Sequence, residues 1–254
     1  MNITELTKKV EDLASDCEMD CIGFAPVSRF NDAPKGRRPK DILPTAKSVI
    51  VFAVHILDSL VDGLPESRYE YTSQFFILNG VLNNTTLKVS RFLEDQGFRA
   101  FPIPAAYPRV NKRIFGVFSH RHAAVQAGIG EFAVNNLLTT SRFGPRVRLS
   151  SIITEAEFEY SQVYTGELCK DYVEKCNYAC VKNCPVGALT QEGKIDKYKC
   201  LHYQEQIMPW SAVELRCGLC MGSCPIGKKK WPITAGKIEA DVKEMKDLWT
   251  GAKW

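Results

Sequence analysis

Apolar positions in the first stretch, Leu6, Val10, Leu13 and Cys17, recur at helical spacing, which predicts an amphipathic helix over residues 5 to 17. The run "CIGFAPV" that follows is short and apolar and predicts a buried strand. Cys17 and Cys21 then read as packing residues, because a free cysteine behaves as a small hydrophobe. "NDAPKGRRPKDILPTAK" is rich in Pro, Gly and charge and reads as a loop. "SVIVFAVHIL" is β-branched and apolar throughout, the pattern of a central strand, with His55 inside it expected as a satisfied core histidine. From about Ser73 to Gln96 the pattern is helical, with Phe76, Leu87, Val89, Phe92 and Leu93 as expected core and Gly97 as the stop.

Beyond that helix, "FRAFPIPAAYPRV" is extended, since its prolines disfavour helix. "SHRHAAVQAGIG" predicts a short helix ending at Gly128, and the Gly-x-Gly turn is expected to open another. A Gly144-Pro145 turn then leads into the strand "RVRLSSIIT". Helices and strands are thus mixed through residues 1–165, an α/β (α+β) pattern. The composition changes at about Gly166: eight of the ten cysteines lie between Cys169 and Cys224, so residues 166–254 are expected to form a second domain.

With 254 residues the chain is long enough for one sizeable domain and a smaller one. No run of roughly 18 to 20 apolar residues spans a membrane, and the opening segment lacks the pattern of a signal peptide. A cytoplasmic location is therefore expected, where cysteine density points to metal ligation or redox work rather than to disulfides. The net charge of +4 argues against a large nucleic-acid footprint.

The eight clustered cysteines fall into two sets. The first is Cys169-x₆-Cys176-x₃-Cys180-x₃-Cys184-Pro185, and the second is Cys200-x₁₆-Cys217-x₂-Cys220-x₃-Cys224-Pro225. Zinc takes four cysteines in C-x₂-C pairs and remains an alternative, but it does not require a Cys-Pro closing each set. In two-cluster bacterial ferredoxins the fourth cysteine of each C-x₂-C-x₂-C-x₃-C-P run ligates the other cluster. That crossover assigns Cys169, Cys176, Cys180 and Cys224 to one [4Fe-4S] cluster, and Cys184, Cys200, Cys217 and Cys220 to the other. The first set is spaced more loosely than the ferredoxin run, which leaves Cys169 the least secure ligand. His202, two residues after Cys200, is a candidate to tune a cluster.

Ahead of the cysteines, "AGIGEFAVNNLLTTSRFGPRVRLSSIITE" lacks the third glycine and preceding strand of a dinucleotide fingerprint. With the two cysteine sets behind it, this stretch resembles the cobalamin-dependent iron-sulfur reductases typified by epoxyqueuosine reductase and, more distantly, the reductive dehalogenases. "CIGFAP", "DILPTAKSVIVFA" and "GFRAFPIP" extend the resemblance over nearly the whole chain. It implies a nitroreductase-like cobalamin-binding domain followed by a ferredoxin-like domain, with two [4Fe-4S] clusters passing electrons to a base-off corrinoid. Carried over by residue, Gly128, Gly130, Asn136, Leu137 and Leu138 would lie along the corrinoid, with Gly144 in the turn behind it. The plainer alternative makes the leucines core and the glycines turns.

Departures from the family matter too. The resemblance implies a proton-donating aspartate where the matching stretch "FRAFPIPAA" has Ile103, and the C-terminal repeats some members place near tRNA are not expected here. A reductase with a different substrate is expected, and tRNA is not an expected partner. An apparent insertion, "AAYPRVNKRIFGVFSHRHAA", supplies Tyr107, His120 and His122 as candidate proton donors. The Lys228-Lys229-Lys230 run would dock an acidic electron donor such as ferredoxin or flavodoxin. The alternative function is an electron-transfer or activation protein that reduces the corrinoid of a partner protein.

Overall fold

A computed structural model describes residues 1–106, 116–207 and 215–227. Helix α1 (Ile3–Asp16) starts at Asn2, whose side chain accepts from the Glu5 N–H while the Glu5 carboxylate accepts from the Asn2 N–H. That reciprocal cap satisfies two donors that the first helical turn would otherwise leave open. Strand β1 (Cys21–Pro26), the short helix α2 (Pro39–Ile42) and strand β2 (Ser48–His55) follow. Helices α3 (Asp58–Asp62) and α4 (Arg68–Asp95) lead to β3 (Ala100–Ile103) and α5 (His120–Gln126). The two-residue strands β4 (Glu131–Phe132) and β5 (Leu138–Thr139) form a hairpin ahead of β6 (Val147–Thr154). Helices α6 (Leu168–Cys176), α7 (Ala179–Lys182), α8 (Lys197–Gln206) and α9 (Leu219–Gly222) carry the cysteines.

One sheet of order β1-β2-β6-β3 organises the fold, and each neighbouring pair is antiparallel. Strand β2 is apolar on both faces because both are covered. Val49, Val51 and Ala53 face a core shared with α5, while Ile50, Phe52 and Val54 face one shared with α1 and α4. Full burial of side chains such as Ile50 and Phe52 stabilises the fold by roughly 1.5–3 kcal/mol each. Among the described residues no helix is long and apolar enough to cross a membrane.

Two expectations from pattern change here. The segment after Gly130 is the β4–β5 hairpin rather than a helix: the Ala133 N–H donates to Leu137 O at 3.1 Å, and Asn136 turns the chain with φ +60°. Asn tolerates that left-handed conformation, and a pair of asparagines competes with helix by bonding nearby backbone. Helix α4 starts at Arg68, ahead of the expected Ser73, and its buried stripe is largely polar, including Thr72, Gln74, Asn79, Thr85, Thr86 and Ser90. Phe76 and Leu87, expected in the core, are exposed, whereas Val89 and Leu93 are fully buried and Phe92 packs partly against the core. Two residues of the stripe, and the exposed Asn83 beside it, accept from backbone donors of segments that cross the helix. Thr72 Oγ1 accepts from the Arg216 N–H at 2.9 Å, Gln74 Oε1 from Leu57 at 3.2 Å, and Asn83 Oδ1 from Ala105 at 2.9 Å.

Just before β6, Arg146 is completely buried and its guanidinium bridges α3, donating to Asp58 Oδ1 at 2.6 Å and Asp62 Oδ1 at 2.8 Å. His55 stacks on Phe143 at 4.6 Å between ring centroids, with its Nε2 3.4 Å from Asp58 Oδ1. Removing one side of a buried ion pair leaves an uncompensated charge. Arg146→Met is therefore expected to cost about 3–5 kcal/mol of unfolding free energy, measured by denaturant titration. A loss below about 1 kcal/mol would show that the triad is not a structural anchor.

Candidate metal centre

Tertiary structure gathers the eight cysteines into two cavities. Cys169, Cys176, Cys180 and Cys224 line the first, together with Ala133, Val134, Asn135 and Pro225. Cys184, Cys200, Cys217 and Cys220 line the second, a space of about 240 Å³ walled on its inner side by Tyr71, Phe75, Leu137 and Arg148. This is the grouping that the crossover expects. Its local cause lies at the two tails: Asn183 and Ser223, each directly before the last cysteine of its set, hydrogen-bond at 3.0 Å, and α7 packs on α9. Each tail is thereby turned toward its neighbour's cavity.

Backbone and amide donors point at sulfur in both cavities. The Val134 N–H donates to Cys169 Sγ at 3.4 Å, the Ala188 N–H to Cys184 Sγ at 3.2 Å, and Gln204 Nε2 to Cys200 Sγ at 3.6 Å. Burial pushes the Cys220 thiol up to about 12, helped by the neighbouring Cys217, Cys200, Cys180 and Cys184. Burial likewise raises Cys224 to about 11, with Cys180, Cys169 and Cys176 adding to it. Thiols so crowded stay protonated until a cation takes the place of the protons, so metal binding here releases protons. Among the described residues no three His, Cys, Asp or Glu side chains come close enough to hold a single metal ion. Zinc at about 2.3 Å from each sulfur would draw four thiolates tightly together, whereas a four-iron cube spreads them over its corners. An all-thiol donor set with N–H groups aimed at sulfur fits such a cube.

The inner wall of the second cavity is chemically distinct. Arg148 is partly buried, donating through Nε at 3.1 Å and Nη2 at 2.8 Å to Asn79 Oδ1, and its guanidinium lies 3.8 Å from the centre of the Phe75 ring. Arg216 faces the same ring at 4.5 Å. Burial lowers Arg148 to about 10, still charged at neutral pH, and raises the Tyr71 phenol to about 12. Sequence reasoning gave no role to Tyr71, Phe75, Arg148 or Arg216. The signal available was a pair of arginines at alternate positions, Arg146 just before and Arg148 within a buried strand.

No family model matches the chain. Epoxyqueuosine reductase of Bacillus subtilis is 24% identical over 269 residues, covering 91% of this chain and 66% of the relative. The Bacillus cereus enzyme is 25% identical over 98% of this chain and 72% of its own length. Tetrachloroethene reductive dehalogenase of Sulfurospirillum multivorans is 26% identical over 78% of this chain, but over 40% of the relative. Among solved structures, a Bacillus subtilis epoxyqueuosine reductase superposes with a TM-score of 0.65 over 90% of this chain and 67% of the other, at 23% identity. A B12-dependent reductive dehalogenase reaches 0.66 over 98% of this chain and 37% of the other, at 16% identity. The chain is a homologue of the epoxyqueuosine reductases. Its similarity to the reductive dehalogenases is more distant, and it spans about two thirds of the Bacillus subtilis relative.

The segment set against a corrinoid by the resemblance contacts the chain's own residues. A Cβ at Gly128 would sit on Gln162 O, and one at Gly130 on Thr139 O, so both glycines admit a crossing strand of the protein itself. Asn136 is engaged on both ends of its amide, donating to Gly193 O at 3.2 Å and accepting from Arg121. Asn135 donates to Cys220 O at 3.4 Å. Leu138 is buried in the core shared with α5, which leaves Leu137 as the one residue of the six that lines the second cavity. Gly144, at φ +56°, abuts Ile226 and Gly227, directly behind Cys224 and Pro225. Of these six positions Leu137 lines the second cavity, and the other five contact the chain's own residues.

The candidate proton donors separate similarly. Tyr107 lies outside the described residues, as do Lys228, Lys229 and Lys230. His120 is held at both nitrogens, Nδ1 2.9 Å from Ser151 Oγ and Nε2 2.9 Å from Pro104 O, and burial lowers it to about 4. The carbonyl requires a proton on Nε2, so Nδ1 accepts from the serine hydroxyl, and the neutral ring ties α5 to β6. His122 bonds Ser119 Oγ at 2.7 Å beside Phe132, its basicity lowered by burial and by Arg121 and Lys197. Ile103 is buried at the end of β3 opposite Ser151. His202, expected over a cluster, points to solvent with its side chain 70% exposed, near Gln206 and Glu205. It sits on the outer face of α8, the face opposite the one that turns Cys200 and Gln204 inward.

Two outcomes are expected. A Cβ at Gly144 would strike the Ile226 carbonyl, so Gly144→Ala should loosen Cys224 and reduce metal retention well before it unfolds the sheet, as metal analysis and circular dichroism on one sample would show. His120 has a native value near 4 against about 6.5 unfolded, so between these pH values only the unfolded chain gains the proton. Stability should fall by on the order of 2–3 kcal/mol from pH 6.5 to 4, and His120→Gln should flatten that slope in urea titrations.

Proposed function

We propose that this chain is an iron-sulfur oxidoreductase of the epoxyqueuosine reductase type, holding two [4Fe-4S] clusters in a ferredoxin-like unit at its cysteine-rich end. The carrying observation is the sorting of eight thiols, from two sequence sets, into two adjoining four-cysteine cavities with N–H donors aimed at sulfur. Such clusters, when bound, supply single electrons at low potential. The chain's own residues do the rest. Val134, Ala188 and Gln204 stabilise the thiolates by hydrogen bonding, and Asn135 clamps the hairpin onto the Cys220 carbonyl. Tyr71 packs against Gly218 between Cys217 and Cys220, closing the second cavity from the sheet side.

The acceptor implied by the resemblance is a corrinoid, and one solved relative is a B12-dependent dehalogenase. Of the positions assigned to it Leu137 lines the second cavity, so the reading rests on the thiols and not on that group. This favours a second reading, delivery of electrons to the corrinoid of a partner protein. Another relative was solved with an epoxyqueuosine-modified tRNA stem loop. With buried Ile103 where the family places its proton donor, a different substrate is proposed for this chain, along with an acidic one-electron donor such as ferredoxin or flavodoxin.

Metal and cofactor analysis of anaerobically purified protein tests these readings. About eight irons per chain are expected, falling to about four in Cys176→Ala and in Cys217→Ala. Zinc in place of iron, or an unchanged iron content in both variants, would overturn the assignment. Stoichiometric cobalt would favour a resident corrinoid, and iron without cobalt would favour the partner.

A further inference from the structure

The two cavities differ in charge. Among the described residues, the first is lined by apolar and neutral polar side chains around its four cysteines, with Asn135, Tyr172, Tyr178 and Ser223 as the polar members. The second is lined by two guanidinium groups, Arg148 and Arg216, both against the Phe75 ring. Among the described residues no carboxylate pairs with Arg148; its partner is the neutral amide of Asn79. A partly buried cation with no acid beside it favours an anion brought to its side. Four thiolates around an iron-sulfur cube are such an anion, and it becomes more negative on reduction.

We propose that Arg148, with Arg216 beside it, sets the second cluster at a higher reduction potential than the first, so that electrons run from the first cavity to the second. The inference rests on the two-cluster reading above. Positive charge fixed in a low-dielectric wall favours the reduced form of the neighbouring centre, and hydrogen bonds, charge and burial are the means by which proteins tune such clusters. Helix α6, which carries Cys169 and Cys176, and helix α8, which carries Cys200, both have no buried residue, so the two cavities are alike in exposure and only their charge sets the direction. The second faces Tyr71 and Leu137 at the sheet side, where an acceptor would be reduced. One electron enters from the donor, passes to the second centre and leaves to the acceptor, with no bond formed or broken between the two centres.

The test is a reductive titration of the loaded protein followed by electron paramagnetic resonance, with the two waves assigned through the Cys176→Ala and Cys217→Ala variants. The wild type is expected to show the second-set wave at the higher potential. Arg148→Met should lower that wave by a factor of ten or more in the electron-sharing constant, 59 mV for one electron, while Arg148→Lys keeps most of it. Arg216→Met gives a smaller shift of the same sign and serves if Arg148→Met does not fold. Potentials unchanged in both methionine variants, or a first-set wave lying higher, would overturn this inference and leave the two-cluster reading standing. Protein without iron would overturn both.

Discussion

The stretch entering β6 fixes the relation between the sheet and the cysteines, and its anchor is the fully buried Arg146 held between Asp58 and Asp62. That ion triad pins α3 beneath α9, where Gly222 packs so closely on the Val61 carbonyl that a Cβ would meet it at 2.9 Å. Two residues earlier, Gly144 abuts Gly227 behind Cys224; two residues later, Arg148 walls the second cavity. Three alternate positions of the turn and strand from Gly144 to Arg148 thus touch the tail of one set, the support of α9 and the cavity of the other. Desolvating a guanidinium completely is tolerable only with both carboxylates in place. The geometry at both cavities therefore depends on a pairing remote from any sulfur.

A second constraint is the polar inner stripe of α4. Thr72 and Gln74 of the stripe, and the exposed Asn83 beside it, take up backbone donors of Arg216, Leu57 and Ala105. Buried backbone donors must be satisfied, and a helix that crosses several loops can do so with short polar side chains at the cost of apolar burial. Phe76 and Leu87 lie outside for that reason. The Thr72 bond also bears on the second cavity, because it holds Arg216 at the residue before Cys217.

The β4–β5 hairpin joins the sheet-bearing part to the cysteine-bearing part. Val134 and Asn135 reach the first cavity, Leu137 reaches the second, and Asn136 grips the Gly193 turn. Glu131 accepts from the Cys169 N–H at 2.8 Å. Residues that the resemblance sets against a macrocycle instead act as a clamp between two parts of one chain. Glycines serve close approach in either role, which is why sequence alone did not separate them.

What the sequence determined by itself is the set of features carried by local pattern and by covalent spacing. The helix at Leu6 to Cys17, the doubly covered strand Ser48–His55 and the strand Val147–Thr154 follow from periodicity, and the division of eight cysteines into two groups follows from where each Cys-Pro tail falls. Tertiary structure alone decided the rest. Whether Asn136 meets a ligand or Gly193, whether His120 holds a free proton or bridges Ser151 and Pro104, and that Arg148 faces thiols depend on elements far apart in the chain. Spacing constrains neighbours through the backbone, whereas the partner of a buried polar group is chosen by whichever distant segment arrives with the complementary donor, acceptor or charge.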